Sequence, residues 1–242
     1  MTSSPAALTL SLGEPEDRGF STVAARRTDS PRRAAPARGS ARPRSPKGRR
    51  TSDHILATAL EIMGREGYAS LSIGKIASAT GVRKGNLQYY FPTKTTLLRA
   101  VLSYQVNRQK DRWAKHLASA PAEPRARLLT MLRYENSLNR DEVVKAQAWE
   151  KWAFAAHDEE AGAIVGDWYD WVTTQYTMLL EALRPDLDEA ARRGLAACIY
   201  AQMEGGGPFF GKSGRRARAP RAMSALMESA ALELAGNFKP TA

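Results

Sequence analysis

Between Thr51 and Leu102 apolar residues recur at helical spacing, and glycine or proline interrupts the rhythm at Gly67, Gly81 and Pro92. Ile55, Ala59, Ile62 and Met63 stand at i, i+4, i+7 and i+8, one face of a helix that "REGY" ends at Gly67. Ser72 is a helix-capping type of residue, and Ile73, Ile76 and Ala77 form the inward set of a short second helix over 72–79. Gly81 supplies a tight turn. In the next stretch, "GVRKGNLQYYFPTK", Leu87 and Phe91 are four apart and hold one face of a third helix inward. Pro92 closes that helix, and Thr93 caps a fourth that runs from Lys94 towards Trp113. Short helices joined by a tight glycine turn can bury their apolar faces only by crossing one another, which is the helix-turn-helix arrangement.

The third helix has an outer face as well. Lys84, Asn86, Gln88 and Tyr89 lie on it, side chains of the kind that pair with base edges and grip phosphates. Net charge agrees with a polyanionic partner: 36 Lys+Arg against 25 Asp+Glu give +11. The charge is uneven. Residues 1–50 hold 11 Lys/Arg and four Asp/Glu, so 11 − 4 = +7 of the total lies there and +4 in the rest. That Pro-, Ala-, Ser- and Arg-rich stretch cannot bury enough apolar surface to offset its ordering entropy, so 1–49 is expected to be a disordered basic tail. It reads either as a solvated tail or as an arm adding phosphate contacts.

Beyond Pro121 and Pro124 helical patterns resume over roughly 125–139, 142–157, 159–183, 187–204 and 220–235, with no alternating runs that would make strands. "FFGKSGRRARAPR", residues 209–221, reads as a mobile basic loop. The expected fold is all-α: a helix-turn-helix domain over 50–98 whose outer face suits DNA, then a larger helical domain over 99–242. No run reaches the roughly 20 apolar residues of a membrane span and no signal-peptide core is visible, so a cytoplasmic protein with no membrane partner is expected. Cys198 is the only cysteine, and His54, His116 and His157 are scattered, which predicts no disulfide and no metal site. No catalytic constellation or phosphate-binding glycine motif is present, so neither enzyme activity nor a cofactor is expected.

The stretch "ILATALEIMGREGYASLSIGKIASATGVRKGNLQYYFPTKTTLLRAVL", Ile55 to Leu102, resembles the DNA-binding domain of the TetR family of transcriptional regulators. The resemblance rests on an ordered set: "EGY", "IA" on the second helix, "GV", "G-N-L" and "YYFPTK". It implies a third helix in the major groove, with DNA contacts at Arg83, Lys84, Gly85, Asn86, Gln88, Tyr89 and Tyr90, a phosphate contact at Lys94, and Ser72 and Lys75 as phosphate neighbours. Three residues depart from the family pattern. Arg83 stands where a capping serine is common, Gln88 where a tyrosine is common, and Thr96 where a capping-box carboxylate is frequent, so weaker caps are expected on the third and fourth helices.

In the larger half, "AQAWEKWAFAAHDEEAGAIVGDWYDWV", Ala146 to Val172, is similar to the ligand-binding domains of regulators related to the choline-responsive betaine repressors. The resemblance implies an unidentified small-molecule effector and a homodimer formed by late helices, with Trp171, Tyr176, Leu179, Leu183, Leu195, Ile199 and Met203 at the interface. Tyr134, Trp149, Trp152, Trp168 and Tyr169, with Glu150, are the candidate effector residues, and Phe154, Glu135 and Asp167 lie near them in sequence. Rings beside a carboxylate suit a cationic or flat apolar ligand. As ordinary core with solvated acids they would bind nothing. The whole reads as a ligand-responsive regulator, in this family most often a repressor, acting on a palindromic double-stranded DNA operator. A sequence-tolerant DNA-coating protein driven by the basic tail, and an all-helical enzyme, are the competing readings.

Overall fold

The computed structural model describes residues 45–210 and 222–239. The expected tail over 1–44 and most of the basic loop over 211–221 lie outside the described residues. Nine α-helices follow in order among those described: α1 Pro46–Glu66, α2 Ile73–Thr80, α3 Lys84–Tyr90, α4 Lys94–Ala118, α5 Pro124–Arg140, α6 Glu142–Ala155, α7 Glu159–Glu181, α8 Glu189–Glu204 and α9 Met223–Asn237. Single 3-10 turns sit at Tyr68–Ser70 and Gly207–Phe209, and there is no strand among the described residues.

Most helix starts are set by one polar side chain. The Ser72 hydroxyl accepts the Lys75 amide of α2, Thr93 accepts the Thr96 amide of α4, and Asp141, Asp158 and Asp188 cap α6, α7 and α8 in the same way. Each such cap satisfies amides the helix leaves unpaired, at about 1 kcal/mol apiece. Arg83 indeed makes no side-chain cap on α3, while α4 keeps half of a capping box: Thr96 donates its amide to the Thr93 hydroxyl at 3.0 Å, and its own hydroxyl meets that hydroxyl at 2.8 Å rather than the Thr93 amide.

Helix α1 begins at Pro46, inside the stretch expected to be tail. Ser45 caps it and proline stands in its first turn, where the missing N–H costs nothing. Apolar periodicity could not reveal this turn, because Lys47, Arg49 and Arg50 are all exposed.

Two apolar cores are strung on one rod. Ile55, Ala59, Ile76, Leu87, Phe91, Leu97 and Val101 bury together in the N-terminal part, while Trp113, Leu128, Leu132, Val172, Tyr176, Leu180, Leu195 and Ile199 fill the C-terminal part. Helix α4 supplies both, Leu97 to Val101 to the first and Val106 and Trp113 to the second. Arg184 closes the far end. Its guanidinium, 8% exposed, donates to the carbonyls of Ala235 (3.1 Å) and Phe238 (2.7 Å) and pairs with Asp186.

The structure places the residues expected at a dimer interface in or beside the chain's own core. Tyr176, Leu179, Leu195, Ile199 and Met203 are buried against one another within a single chain, and Trp171 and Leu183 pack half-buried beside them. A stripe at helical spacing identifies a buried face without saying whether the same chain covers it. The outer side of α7 and α8 is another set: Met178, 63% exposed, and the exposed small residues Gly194, Ala197, Cys198 and Ala201.

Candidate nucleic-acid interface and a buried polar chamber

Helix α3 is held by its inner face alone. Leu87 is fully buried and Phe91 nearly so, while Arg83, Lys84, Gly85, Asn86, Gln88 and Tyr89 are exposed and Tyr90 is half-buried. Tyr89, at 70% exposed, touches Tyr90 edge to face with ring centres 5.5 Å apart. Gly81 takes the left-handed conformation, φ 68°, and lets the chain turn between α2 and α3 within three residues. Gly85 has no such duty: a Cβ there would meet nothing within 4 Å. It is the second residue of α3, and nothing among the described residues requires a glycine there, whereas a partner surface pressed against the backbone would.

The flanking residues divide. Lys94 is half-buried with its ammonium 4.7 Å from the centre of the Tyr68 ring, which steers it without neutralising it. Lys75 forms an ion pair with Glu66, so its charge is met within the chain. Ser72 is occupied as the α2 cap. Of the ten residues expected to contact DNA, eight thus present free polar groups or backbone to solvent, and Ser72 and Lys75 have competing partners.

The effector candidates come together only in part. Trp152, Trp168 and Tyr169 converge: the Trp152 indole donates to the Tyr169 hydroxyl at 2.6 Å, and all three rings stand within 6.0 Å of the Lys151 ammonium. Tyr134 instead packs its ring 4.3 Å from that of His116. Trp149 lies under the Lys145 ammonium, and Glu150 reaches back towards Gly67 in the N-terminal part. Phe154 joins the N-terminal core against Tyr68. These three α6 side chains fall away because the helix turns them to other faces.

Beside the Trp152, Trp168 and Tyr169 trio the fold gathers buried charge, of which the sequence singled out only Glu135. Lys151 is 2% exposed and stands 3.7 Å from Glu204 of α8, with the buried Glu135 of α5 beside them. Burial pushes Glu135 up to about 8, helped by the negative charge of Glu204 and opposed by Lys151. Glu204 is raised too, chiefly by burial, and desolvation lowers Lys151. A cavity of about 50 Å³ adjoins them, lined also by Gln109, Asn139, Lys145 and Tyr200. Gln109 lines a second, open cleft of about 400 Å³ between α1, α4 and α6, into which Arg65, Arg108, Arg112 and Gln147 project. Buried oxygens of Gln105 and Gln109 have no hydrogen-bond partner among the described residues. The advance signs of this chamber were Glu135, placed with the candidate rings, and a lysine framed by two tryptophans in "WEKW".

Residues 55–101 match the model of the bacterial regulatory proteins of the tetR family. Residues 55–101 thus carry a TetR-family DNA-binding domain. It is 33% identical over 95 residues to the HTH-type transcriptional regulator YuxN of Bacillus subtilis (strain 168), covering 38% of this chain and 32% of that protein. To QacR of Staphylococcus aureus (strain Mu50 / ATCC 700699) it is 33% identical over 63 residues, 26% of this chain and 34% of that one. The match thus spans about a third of each relative's length. Whole-chain likeness is to solved structures at low identity. A transcriptional regulator from Saccharomonospora viridis in complex with choline has a TM-score of 0.63 at 20% identity, over 78% of this chain and 97% of that one. A TetR transcription regulator from Haloarcula marismortui ATCC 43049 has 0.62 at 18%, over 77% and 97%. These establish a TetR-type fold for the larger half.

Proposed function

We propose that this TetR-family protein is a ligand-responsive repressor that binds a palindromic operator as a homodimer. The observation that carries the reading is α3 itself, a helix anchored by Leu87 whose whole outer face is polar side chain or bare backbone. Asn86 and Gln88 suit adenine edges, and Lys84 suits guanine or phosphate. Lys94, free of any carboxylate, suits a phosphate contact that fixes register. Exposed Lys47, Arg49 and Arg50 at the start of α1 add sequence-independent charge.

Two recognition helices need a two-fold. The outer face of α8 supports one, since Gly194, Ala197, Cys198 and Ala201 let a second α8 approach closely, with Met178 alongside. Half-sites would then lie about 34–36 Å apart or a multiple of that.

Helix α6 joins the chamber to the DNA-binding part. One turn before Lys151, Gln147 donates its amide to the Leu60 carbonyl of α1 at 3.0 Å. Gly64 of α1 lies so close that a Cβ there would stand 2.7 Å from Val143 and 2.9 Å from Gln147. A small molecule that shifts α6 therefore moves α1, and it lowers operator affinity to the extent that it binds the shifted state better. The choline bound by the Saccharomonospora viridis regulator supports a small-molecule effector for this fold.

The test is capture of genomic fragments by the purified chain lacking residues 1–44, which keeps the Ser45 cap of α1. A few enriched fragments sharing an inverted repeat are expected at physiological salt. Uniform retention would favour a DNA-coating protein, and no retention would place the DNA affinity in the tail. For the dimer, Ala201→Glu is expected to give a folded monomer in analytical ultracentrifugation; an unchanged dimer would remove α8 from the interface.

A further inference from the structure

The chamber already contains a cation. Lys151 brings its ammonium 5.4 Å from the centre of the Tyr169 ring, 5.9 Å from Trp152 and 6.0 Å from Trp168, with the Glu204 carboxylate 3.7 Å away. Ring faces attract a cation through their quadrupole, most strongly when water is excluded, and a carboxylate completes the attraction. An aromatic box with an acid at its edge is the general solution for holding an organic ammonium ion. Here α6 supplies the occupant, α7 two of the walls and α8 the acid.

We infer that the Trp152, Trp168 and Tyr169 box with Glu204 is a seat for an alkylammonium ion, that Lys151 is its built-in occupant, and that a free ammonium effector enters only by displacing Lys151. The inference rests on the ligand-responsive reading above and specifies its site. Three features favour it over an ordinary buried ion pair. Two acids from different helices, Glu204 at 3.7 Å and the buried Glu135, adjoin the Lys151 ammonium, so acceptors remain when that side chain is withdrawn. The adjoining cavity of about 50 Å³ gives a displaced side chain or an incoming head group room to start. Trp152 is 38% exposed, so one wall of the box borders solvent.

A tethered occupant competes at an effective concentration of about millimolar or more. A free ion must exceed that before it binds, so the chain as it stands answers weakly to small ammonium ions. Displacement also has a direct mechanical outlet. The backbone that carries Lys151 carries Gln147 one turn away, and Gln147 holds α1.

Substituting Lys151→Ala empties the seat and leaves the acids. Thermal unfolding of the full chain with propylammonium chloride, set against 1-propanol and sodium chloride at equal concentration, reads whether the seat refills. Propylammonium is expected to raise the melting temperature of K151A and not that of the wild type or of Lys151→Arg, which keeps a tethered cation. Titration followed by tryptophan fluorescence is expected to reach half-saturation at a concentration at least tenfold lower in K151A than in the wild type. If K151A does not fold, the double variant with Glu135→Gln, which removes the surplus buried acid, takes the same titration. An equal response of wild type and variant, or a response of the folded variant no greater than to propanol, would overturn the inference. No DNA enters these measurements, so their failure leaves the regulator reading standing on fragment capture, and a failed capture leaves the seat intact.

Discussion

Helices α3 and α6 treat polarity in opposite ways. Of the seven residues of α3 only Leu87 is buried, and Lys84, Asn86 and Gln88 are exposed with no hydrogen bond or ion pair among the described residues. Of the fourteen residues of α6 the two buried ones are both lysines, Lys145 and Lys151, while Trp152 on the same helix is exposed. One helix is a surface presented by a small core; the other carries charge into the core and hydrophobic surface out of it. Burying a charge is costly unless it is paired, and α6 tolerates it because Glu142, Glu204 and the Phe210 carbonyl are waiting. A helix built that way holds its place through a few polar contacts, and a ligand can exchange such contacts more readily than it can unpick an apolar interface.

The contrast can be broken most forcefully at Leu87. Replacing it with alanine removes the anchor of α3 and is expected to cost about 2–5 kcal/mol, read by urea denaturation, with operator binding lost at the same time. If stability held and binding alone fell, α3 would be positioned by something other than its core contact.

The second prediction concerns pH and the α6 chamber. Glu135 is raised to about 8 in the folded chain, above its unfolded value of about 4.3, so the folded state binds more protons than the unfolded one between those limits. Stability from this group is therefore complete at low pH and is lost as pH rises towards 8. Glu204, Lys151, Tyr176 and Tyr200 all interact with it, so the clean readout is a difference. Glu135→Gln is expected to gain on the wild type by roughly 1–4 kcal/mol between pH 5 and pH 8. A constant difference across that range would mean that Glu135 stays ionised.

Smaller effects lie on α3. Asn86→Ala and Gln88→Ala are each expected to cost about 1–3 kcal/mol on the operator and to relax preference at particular base pairs, measured by competition among operator variants. Lys94→Ala is expected to weaken binding to every sequence alike and to lower the salt slope by about one. A specificity change from Lys94, or a uniform loss from Gln88, would exchange their roles.

How much of this was legible follows the same division. The helix-turn-helix could be read because each of its signals acts locally: Ser72 and Thr93 cap within three residues, Gly81 turns alone, and Leu87 and Phe91 bury one face. The start of α1 could not, since its first turn is exposed and basic and only the Ser45 cap and Pro46 betray it. In the larger half, apolar spacing found Tyr176, Leu195 and Ile199 but could not tell a neighbour in the same chain from one in a second copy. The chamber escaped for a deeper reason. Glu135, Lys151 and Glu204 come from α5, α6 and α8, and their meeting depends on packing angles that no local pattern encodes.

Cys198 gives the outer face of α8 one more property. It is exposed, and it is the only thiol in the chain, so every cysteine-directed reagent reports on that face and on nothing else. The rate of alkylation therefore measures how far that face is covered. Oxidants act at the same address. A disulfide between two copies can form only through Cys198, which makes the redox state of the solution a handle on this surface alone.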